Sequence, residues 1–308
     1  MPFPDAPLPS PVPKRTDPQA ARLVLADANR THGTSYHLAA PLNGGFQSGT
    51  WLLRNGTNGD AAAVLKWSPN RARAPQILRA RRAVQRARAA GYPTPAWFAA
   101  GVSERGFPYY IQQYVPGAAP RHLTVEVAEQ LIVVLEHQRG LDVDPDHCWS
   151  RYAHDRLAGG WDHTRKTMAG SGHEGLGFVA SIDALVASFG KVELPAGDLV
   201  HGDFRLDNIL FRPERQVAAV IDIEALGSGT RAFDYATLLT VDDADAAGWE
   251  LTRIAGEQVA GPGVLAHCFA LAALELAHFV RQRVPGRLPA ILGHLTDRAE
   301  TLLPLRWL

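Results

Sequence analysis

The sequence contains little cysteine, the residue that builds disulfides and many metal centres. It has two cysteines among 308 residues, Cys148 and Cys268, and they lie far apart without metal-type spacing. Both are expected to be buried, free thiols in a reducing compartment. The twelve histidines show no H-E-x-x-H or paired-ligand spacing, which argues against a zinc site.

The chain also lacks net charge, since 31 basic residues balance 31 acidic residues. Bulk electrostatics therefore favours neither a nucleic acid nor an anionic membrane as a partner. The N-terminal stretch MPFPDAPLPSPVPK has no basic n-region and no apolar h-region, so residues 1–18 are predicted to form a flexible, proline-rich tail rather than a signal peptide. Glu or His interrupts the apolar stretches before they reach the about 20 residues that a bilayer span needs. A cytoplasmic protein without a membrane-spanning segment is expected.

The residue pattern changes along the chain. Apolar residues at helical spacing predict a first helix that stops at Gly33. Residues 36–67 alternate strand-like runs with Gly/Asn turns, an Arg-rich helix follows over residues 74–90, and two further strands come next. Helical periodicity then dominates. We predict an α+β fold, with a small antiparallel sheet lobe over residues 19–117 and a larger, mainly helical lobe over residues 118–308.

The stretch LVHGDFRLDNILF, residues 199–211, places a polar cluster between two apolar strips. Asp203 and Asn208 stand five residues apart on a loop that the flanking strands would hold rigidly. Asp222, in AVIDIE, ends a second apolar strand 14 residues after Asn208. A carboxylate can accept a proton from an attacking hydroxyl, and carboxylate and amide oxygens can bind Mg²⁺. These residues predict half of a phosphoryl-transfer site.

The other half should be cationic, and the chain has only four lysines against 27 arginines. Lys66 ends the strand-like run AAAVLK, where an ammonium group can reach nucleotide phosphates. An edge lysine that extends into solvent is the alternative. The turn LNGGFQSGT, with Gly45 and Ser48, can cover phosphates with its backbone N–H groups or simply join two strands. It is not a Walker A loop, because Thr50 stands where that motif requires lysine.

The segments HGDFRLDN, VIDIE, AVLKW, NGGFQSGTWLL and YYIQQYVPG, in their order and spacing along the chain, resemble the aminoglycoside phosphotransferase and choline kinase-type family, relatives of the protein kinases. The resemblance covers roughly residues 36–240 and implies a two-lobed, protein-kinase-like fold. The H-G-D-x-x-x-x-N and I-D motifs carry most of its specificity, and the other segments support it.

The resemblance also implies a role for each matching residue. Asp203 is expected to act as the catalytic base, with Asn208 and Asp222 as ligands of Mg²⁺. Lys66 is expected to contact the α- and β-phosphates of the ATP or GTP donor. The backbone of Gln113 to Val115 is expected to read the nucleobase.

The resemblance also implies roles for three further residues. Asp234, in RAFDYATLL, is expected to be a structural acid that braces the catalytic loop. His201 is expected to hold this loop rather than to transfer protons. Arg205 is expected to reach the transferring phosphoryl group, a surface arginine being the alternative.

The sequence departs from the family at one point. Members pair the strand lysine with a glutamate on the following helix, whereas this chain has no glutamate before Glu104. The Arg-rich helix has only Gln76 and Gln85 as neutral polar side chains. The partner of Lys66 stays open at this point: Gln76, a backbone carbonyl, the nucleotide itself, or none.

Two segments of the helical lobe are candidates for binding the acceptor. An acidic run would suit a polycation, or it would simply start a solvated helix. An aromatic segment would stack on a ring of the acceptor, or it would belong to the core. The acidic residues are Asp242, Asp243, Asp245 and Glu250, and the aromatic ones are Trp149, Tyr152 and Trp161.

Three functions follow as hypotheses. The leading one is an Mg²⁺-dependent enzyme that moves the γ-phosphoryl group of ATP or GTP to a hydroxyl of a small molecule, foremost an antibiotic, and so confers resistance. The second is a housekeeping kinase for an amino alcohol or a sugar. The third is a kinase-like nucleotide-binding protein with little catalysis, motivated by the missing helix glutamate. A monomer or homodimer is expected.

Overall fold

The computed structural model describes residues 13–42, 48–56 and 59–304. Its strands are β1 (Tyr36–Pro41), β2 (Gly49–Asn55), β3 (Ala61–Trp67), β4 (Trp97–Val102), β5 (Pro108–Gln113), β6 (Asp198–Val200), β7 (Ile209–Phe211), β8 (Val217–Val220) and β9 (Gly227–Gly229). Its α-helices are α1 (Pro18–His32), α2 (Ala74–Ala89), α3 (Val125–Glu136), α4 (Trp149–Asp155), α5 (Asp162–Ala169), α6 (His173–Phe189), α7 (Ala232–Leu239), α8 (Ala246–Ala260), α9 (Pro262–Arg283) and α10 (Leu288–Thr301). The predicted α+β composition is confirmed.

The chain divides into two compact units. The first unit contains residues 1–116 together with the short segment 218–225. The second unit contains residues 117–217 and 226–308. The first unit is therefore discontinuous in sequence, because eight residues from far along the chain belong to it.

A five-stranded antiparallel sheet, in the order β1-β2-β3-β5-β4, forms the centre of the first unit. The strands predicted over residues 36–67 and the two strands after the Arg-rich helix are confirmed. On the central strand β3, Lys66 lies opposite Thr50 of β2 and Tyr110 of β5. Side chains alternate between the two faces of a strand, so Lys66 points away from the face that carries its neighbours Leu65 and Trp67.

Helix α1 covers the face of Leu65 and Trp67. Asp17 caps the helix, since its carboxylate accepts a hydrogen bond from the N–H of Gln19 at 2.8 Å. Gly33 ends it in the left-handed conformation, with φ of 65°, as the sequence predicts. The buried face of α1 packs with Leu65 and Trp67 into one apolar cluster.

Helix α2 is the Arg-rich helix that the sequence predicts. It contacts β4 and β5 and buries its small and apolar side chains, among them Ile77 and Val84. A short 3₁₀ turn over Arg71–Arg73 precedes it. Arg73, the last residue of this turn, is buried although the sequence around it is strongly basic.

The second unit is mainly helical, and α9 is its most buried long helix. The prediction that every apolar stretch falls short of a bilayer span is wrong for α9, which has 22 residues and an 18-residue window with a mean hydropathy of 1.7. Its length and composition alone would suit a membrane span. However, 78% of this window is buried inside the protein, and α6, α7, α8 and α10 pack around it. This is the pattern of a core helix.

Both cysteines are free thiols. Cys268 is buried within α9, and this burial raises the pKa of its thiol. Cys148 is only half-buried, so the prediction of two buried thiols is wrong for Cys148. The residue is the N-cap of α4 and forms a β-bridge with Ser228.

Leu65 tests the packing of α1 on the sheet. Its side chain is fully buried, so we expect Leu65→Ala to lower the free energy of unfolding by about 2–5 kcal/mol. Leu78→Ala is the matched control, because Leu78 is 45% exposed on α2 and its truncation should cost no more than about 0.5 kcal/mol. Urea unfolding followed by circular dichroism measures both, and equal losses would contradict the packing described.

Candidate active site

The H-G-D motif lies on the loop after β6, within the second unit. β6 pairs antiparallel with β9, and Phe204 and Leu206 bury their side chains under the loop. A 3₁₀ turn over Leu206–Asn208 then leads into β7. Apolar anchors before, within and after the loop thus hold it, as the sequence pattern predicts.

A buried carboxylate, Asp234 on α7, holds the first residues of this loop. Its Oδ2 accepts hydrogen bonds from the N–H of His201 at 2.6 Å and from Gln138 Nε2 at 2.8 Å. Its Oδ1 accepts from the N–H of Gly202 at 2.9 Å. Burial raises the pKa of Asp234, although His201 and these hydrogen bonds favour the charged form. The contacts confirm the expected bracing role.

Gly202 occupies a position that requires glycine. Its φ is 84°, in the left-handed region, and a Cβ atom would overlap the indole ring of Trp149. That ring stacks on Phe233 with a centroid distance of 4.8 Å. Trp149, Tyr152 and Trp161 are only 4%, 8% and 3% exposed. The interpretation of these aromatic residues as core is therefore confirmed.

The structure brings Asp203, Arg205 and Asn208 together. Asn208 Nδ2 donates to the carbonyl oxygen of Asp203 at 2.9 Å and to its Oδ2 at 3.2 Å. Arg205 Nε lies 2.8 Å from Asp203 Oδ1, and the Asp203 side chain is 50% exposed. His201 Nδ1 accepts from the N–H of Asp203 at 3.2 Å, in line with its expected holding role. The carboxylate of Asp203 thus accepts a hydrogen bond from Asn208, forms an ion pair with Arg205, and is accessible to a substrate.

Sequence reasoning missed the layer of polar residues beneath this loop. Arg231 pairs with Glu136 and with Asp198, each at 3.0 Å. Tyr235 donates to Glu136 at 2.9 Å. Gln138, which also supports the loop, is fully buried. No motif marks these residues, because they lie in or beside α3, β6 and α7 and meet only in the folded second unit.

Lys66 and Asp222 contact each other within the first unit. Lys66 is buried on β3, and its Nζ donates to Asp222 Oδ1 at close range. Asp222 has φ of 63°, a left-handed conformation that is uncommon for residues other than glycine. The hydrogen-bond partner of Lys66 is therefore Asp222. Gln76, the candidate on α2, has a buried Nε2 without a hydrogen-bond partner among the described residues.

Two more buried charges, Arg73 and Glu224, accompany this pair. Arg73 Nη2 lies 3.7 Å from Glu224 Oε1. Burial opposes the charge of Asp222, but the ammonium of Lys66 holds the pKa of this carboxyl well below its usual range. Burial, as the larger cause, and the negative charge of Asp222 together raise the pKa of Glu224 to about 7. Asp222 is therefore ionised at neutral pH, and Glu224 is the carboxyl group that resists ionisation.

The structure shows different contacts for each of the residues predicted to bind the nucleotide. Ser48 is buried, and its Oγ accepts a hydrogen bond from Arg73 Nη1 at 2.8 Å. Gly45 lies outside the described residues. The N–H of Gln113 donates to a neighbouring backbone carbonyl at 2.8 Å. For Val115 N–H, no acceptor is present in the part of the chain that the structure describes.

The acidic run before and within α8 forms local contacts. Asp245 caps the helix by accepting from the N–H of Gly248 at 2.6 Å. Each of the other three carboxylates contacts a basic side chain, in the pairs Asp242–Arg287, Asp243–His122 and Glu250–Arg253. The interpretation of this run as a helix start is confirmed.

The chain belongs to the phosphotransferase enzyme family, whose model matches residues 39–276. The family predicted from the motifs is thereby confirmed. The match includes Lys66 and the H-G-D and I-D motifs of the sequence. No curated protein sequence matches the chain.

Solved structures share the fold at low sequence identity. Aminoglycoside phosphotransferase APH(4)-Ia is 16% identical with a TM-score of 0.64, over 92% of this chain and 98% of that one. A thermostable mutant of that enzyme, in a ternary complex with ADP and hygromycin B, is 16% identical with a TM-score of 0.62, over 89% and 96% of the two chains. Macrolide 2′-phosphotransferase MphH from Brachybacterium faecium is 17% identical with a TM-score of 0.55, over 93% and 98%. The predicted protein-kinase-like α+β fold is confirmed.

Asp234→Asn tests the brace of the loop. The carboxylate of Asp234 accepts hydrogen bonds through two oxygens, whereas the amide of asparagine has only one oxygen that can accept. We therefore expect the free energy of unfolding to fall by about 1–3 kcal/mol. Asp242→Asn is the control, because Asp242 is exposed and its neutralisation should change stability by no more than about 0.5 kcal/mol. Both values come from urea unfolding. A wild-type stability in Asp234→Asn would show that the loop does not depend on this carboxylate.

Proposed function

We propose that the protein transfers the γ-phosphoryl group of ATP or GTP to a hydroxyl group of a small molecule. The observation that carries this proposal is the cluster of Asp203, Arg205 and Asn208 on a loop that buried groups hold in place. Membership of the phosphotransferase enzyme family supports it. In this proposal residues 19–117 form the nucleotide-binding lobe, and residues 118–308 supply the catalytic loop and the acceptor pocket.

Asp203 is the proposed catalytic base. Its half-exposed carboxylate accepts the proton of the acceptor hydroxyl while the hydroxyl oxygen forms a bond to the γ-phosphorus. The bond from this phosphorus to the β-phosphate oxygen breaks, and the nucleoside diphosphate leaves. Arg205, whose Nε lies 2.8 Å from Asp203 Oδ1, keeps the base oriented and offers a guanidinium to the transferring phosphoryl group.

Asn208 and Asp222 are the proposed ligands of Mg²⁺. The donor chemistry of both residues fits a hard cation. Asp222 is ionised because Lys66 lowers its pKa, and Asn208 uses its Nδ2 to hold Asp203, which leaves its amide oxygen for a cation. Bound there, Mg²⁺ would neutralise charge on the β- and γ-phosphates.

The remaining predicted residues would bind the donor nucleotide. Lys66 would contact the α- and β-phosphates, and the turn with Gly45 and Ser48 would cover them. Of the segment Gln113 to Val115, the carbonyl of Gln113 and the N–H of Val115 are the backbone groups that suit a nucleobase.

An antibiotic is the proposed acceptor, with resistance as the biological outcome. The structures that share the fold include phosphotransferases for aminoglycosides and for a macrolide, which supports this choice. A housekeeping amino alcohol or sugar is the alternative acceptor. The enzyme would act in the cytoplasm, where ATP and GTP are available, as a monomer or homodimer.

Asp203→Ala tests the proposed base. We expect phosphoryl transfer to fall by about 10²- to 10⁴-fold, because the acceptor hydroxyl loses its proton acceptor. Asp207→Ala is the matched control, since Asp207 lies on the same loop and is exposed, and it should retain wild-type rates. Product formation followed by mass spectrometry measures both variants. Unchanged turnover in Asp203→Ala would remove this residue from the mechanism.

The acceptor is identified by a screen with Mg²⁺ and either ATP or GTP. Purified protein is incubated with aminoglycoside, nucleoside, macrolide and peptide antibiotics and with simple metabolites, and products are read by mass. We expect one acceptor to gain a phosphoryl group with the wild-type protein and not with Asp222→Ala. Growth of a sensitive host on the antibiotic then separates a resistance enzyme from a metabolite kinase. Nucleotide binding without any product would favour the weakly catalytic alternative.

A further inference from the structure

A buried glutamine on the sheet of the first unit has a carbonyl oxygen without a hydrogen-bond partner. Gln112, near the end of β5, is only 4% exposed, and no group in the described part of the chain donates to its Oε1. A buried carbonyl oxygen that has lost its hydrogen bonds to water and gained no others is costly. A ligand that supplies the missing donor would remove this cost.

Strand alternation shows to which side of the sheet this amide belongs. The residues on either side of it in alternation, Tyr109 and Ile111, pack into the apolar cluster with α1. Side chains of a strand alternate between its two faces, so Gln112 lies on the other face. Lys66 lies on that face too, directly opposite Tyr110. Gln112 therefore extends the face that the proposed function gives to the nucleotide.

The neighbouring strands do not supply the missing donor. Trp97 of β4 lies opposite Gln112, but its indole ring stacks on Tyr110, with a centroid distance of 4.0 Å and an interplanar angle of 11°. Trp97 Nε1 is itself buried and has no acceptor among the described residues. On the other side Gln112 lies opposite Val64 of β3, whose side chain has no polar atom. The sheet thus leaves the amide oxygen available to a ligand.

Gln112 comes directly before the segment that is proposed to read the nucleobase. Gln113 to Val115 follow it in the sequence, and all four residues belong to the first unit. Under the proposed function the backbone carbonyl of Gln113 accepts a hydrogen bond from the base. Two consecutive residues would therefore present two acceptors to one edge of the base, a side-chain carbonyl and a backbone carbonyl.

Two acceptors distinguish between the purines of ATP and GTP. Adenine carries an amino group at C6 with two N–H bonds, whereas guanine carries a carbonyl oxygen, itself an acceptor, at this position. An oxygen that faces another oxygen leaves both without a hydrogen bond, and buried groups left unpaired in this way make a site reject a close analogue. Rotation of the Gln112 amide would offer Nε2 to guanine, but the carbonyl of Gln113 would still face the guanine oxygen.

We propose that Gln112 selects a 6-aminopurine nucleotide as the phosphoryl donor, so that the enzyme uses ATP in preference to GTP. One N–H of the adenine amino group donates to Gln112 Oε1, and the other donates to the carbonyl of Gln113. Gln112 is thus a specificity-determining residue for the donor. The inference rests on the proposed function and decides a choice that the sequence motifs leave open.

Binding of nucleoside diphosphates tests the inference and requires no acceptor. Dissociation constants of ADP, inosine diphosphate (IDP) and GDP are measured by calorimetry with Mg²⁺ present. IDP has the C6 carbonyl of GDP but lacks its second amino group, so it isolates the effect of C6. We expect ADP to bind about tenfold more tightly than IDP and GDP, which corresponds to one hydrogen bond. This series uses the wild-type protein alone and does not depend on the folding of a variant.

Gln112→Met removes the acceptor and keeps a side chain of similar length. We expect the ratio of the IDP to the ADP dissociation constant to fall about tenfold, because ADP loses a hydrogen bond that IDP does not make. Gln85→Met is the matched control, since Gln85 is exposed on α2 and the same substitution there should leave the ratio unchanged. A general loss of affinity changes both constants alike and leaves their ratio constant.

Each result decides between distinct conclusions. Wild-type protein that binds IDP or GDP as tightly as ADP overturns the inference and leaves the proposed function standing. A preference for ADP that persists in Gln112→Met assigns the selection to other groups and overturns it as well. Equal weakening of all three diphosphates in this variant shows a packing role alone, with the same consequence. Wild-type protein that binds neither ADP nor GDP overturns the proposed function and this inference together.

Discussion

The candidate active site depends on one buried carboxylate. Asp234 accepts hydrogen bonds from two consecutive backbone N–H groups at the start of the loop and from Gln138. Away from water each of these donors would be costly to leave unpaired. The carboxylate therefore defines the path of the chain at His201 and Gly202. The buried side chains of Phe204 and Leu206 anchor the loop further along, between Asp203 and Asn208.

Much of this arrangement could be predicted from local sequence. Strand alternation and turn residues mark the five-stranded sheet, Gly33 marks the end of α1, and the H-G-D-x-x-x-x-N spacing marks the loop. Each of these signals acts over a few residues, which is the range within which backbone preferences operate. The same logic offered a helix start as one of two interpretations of the acidic run, and Asp245 does cap α8.

The remaining features arise from contacts between distant parts of the chain. Lys66 and Asp222 are 156 residues apart, and Arg231 meets Glu136 across 95 residues. No local pattern encodes such pairings. The prediction that Glu or His interrupts every apolar stretch fails at α9 for a related reason: a Glu is compatible with a buried helix when a partner is near, as Tyr152 is for Glu275, with the hydroxyl donating at 2.7 Å. Burial is a property of the whole unit, whereas hydropathy is read residue by residue.

The discontinuity of the first unit has a consequence for how the protein is made. The segment 218–225 brings Asp222 and Glu224 to Lys66 and Arg73, so a ribosome must add about a hundred residues after β5 before those cations meet their carboxylates. A nascent chain that ends near Gly117 would contain the whole five-stranded sheet and two interior positive charges without a counter-ion. The first unit is therefore complete only after residue 225 has been synthesised, although all five strands of its sheet end before residue 117.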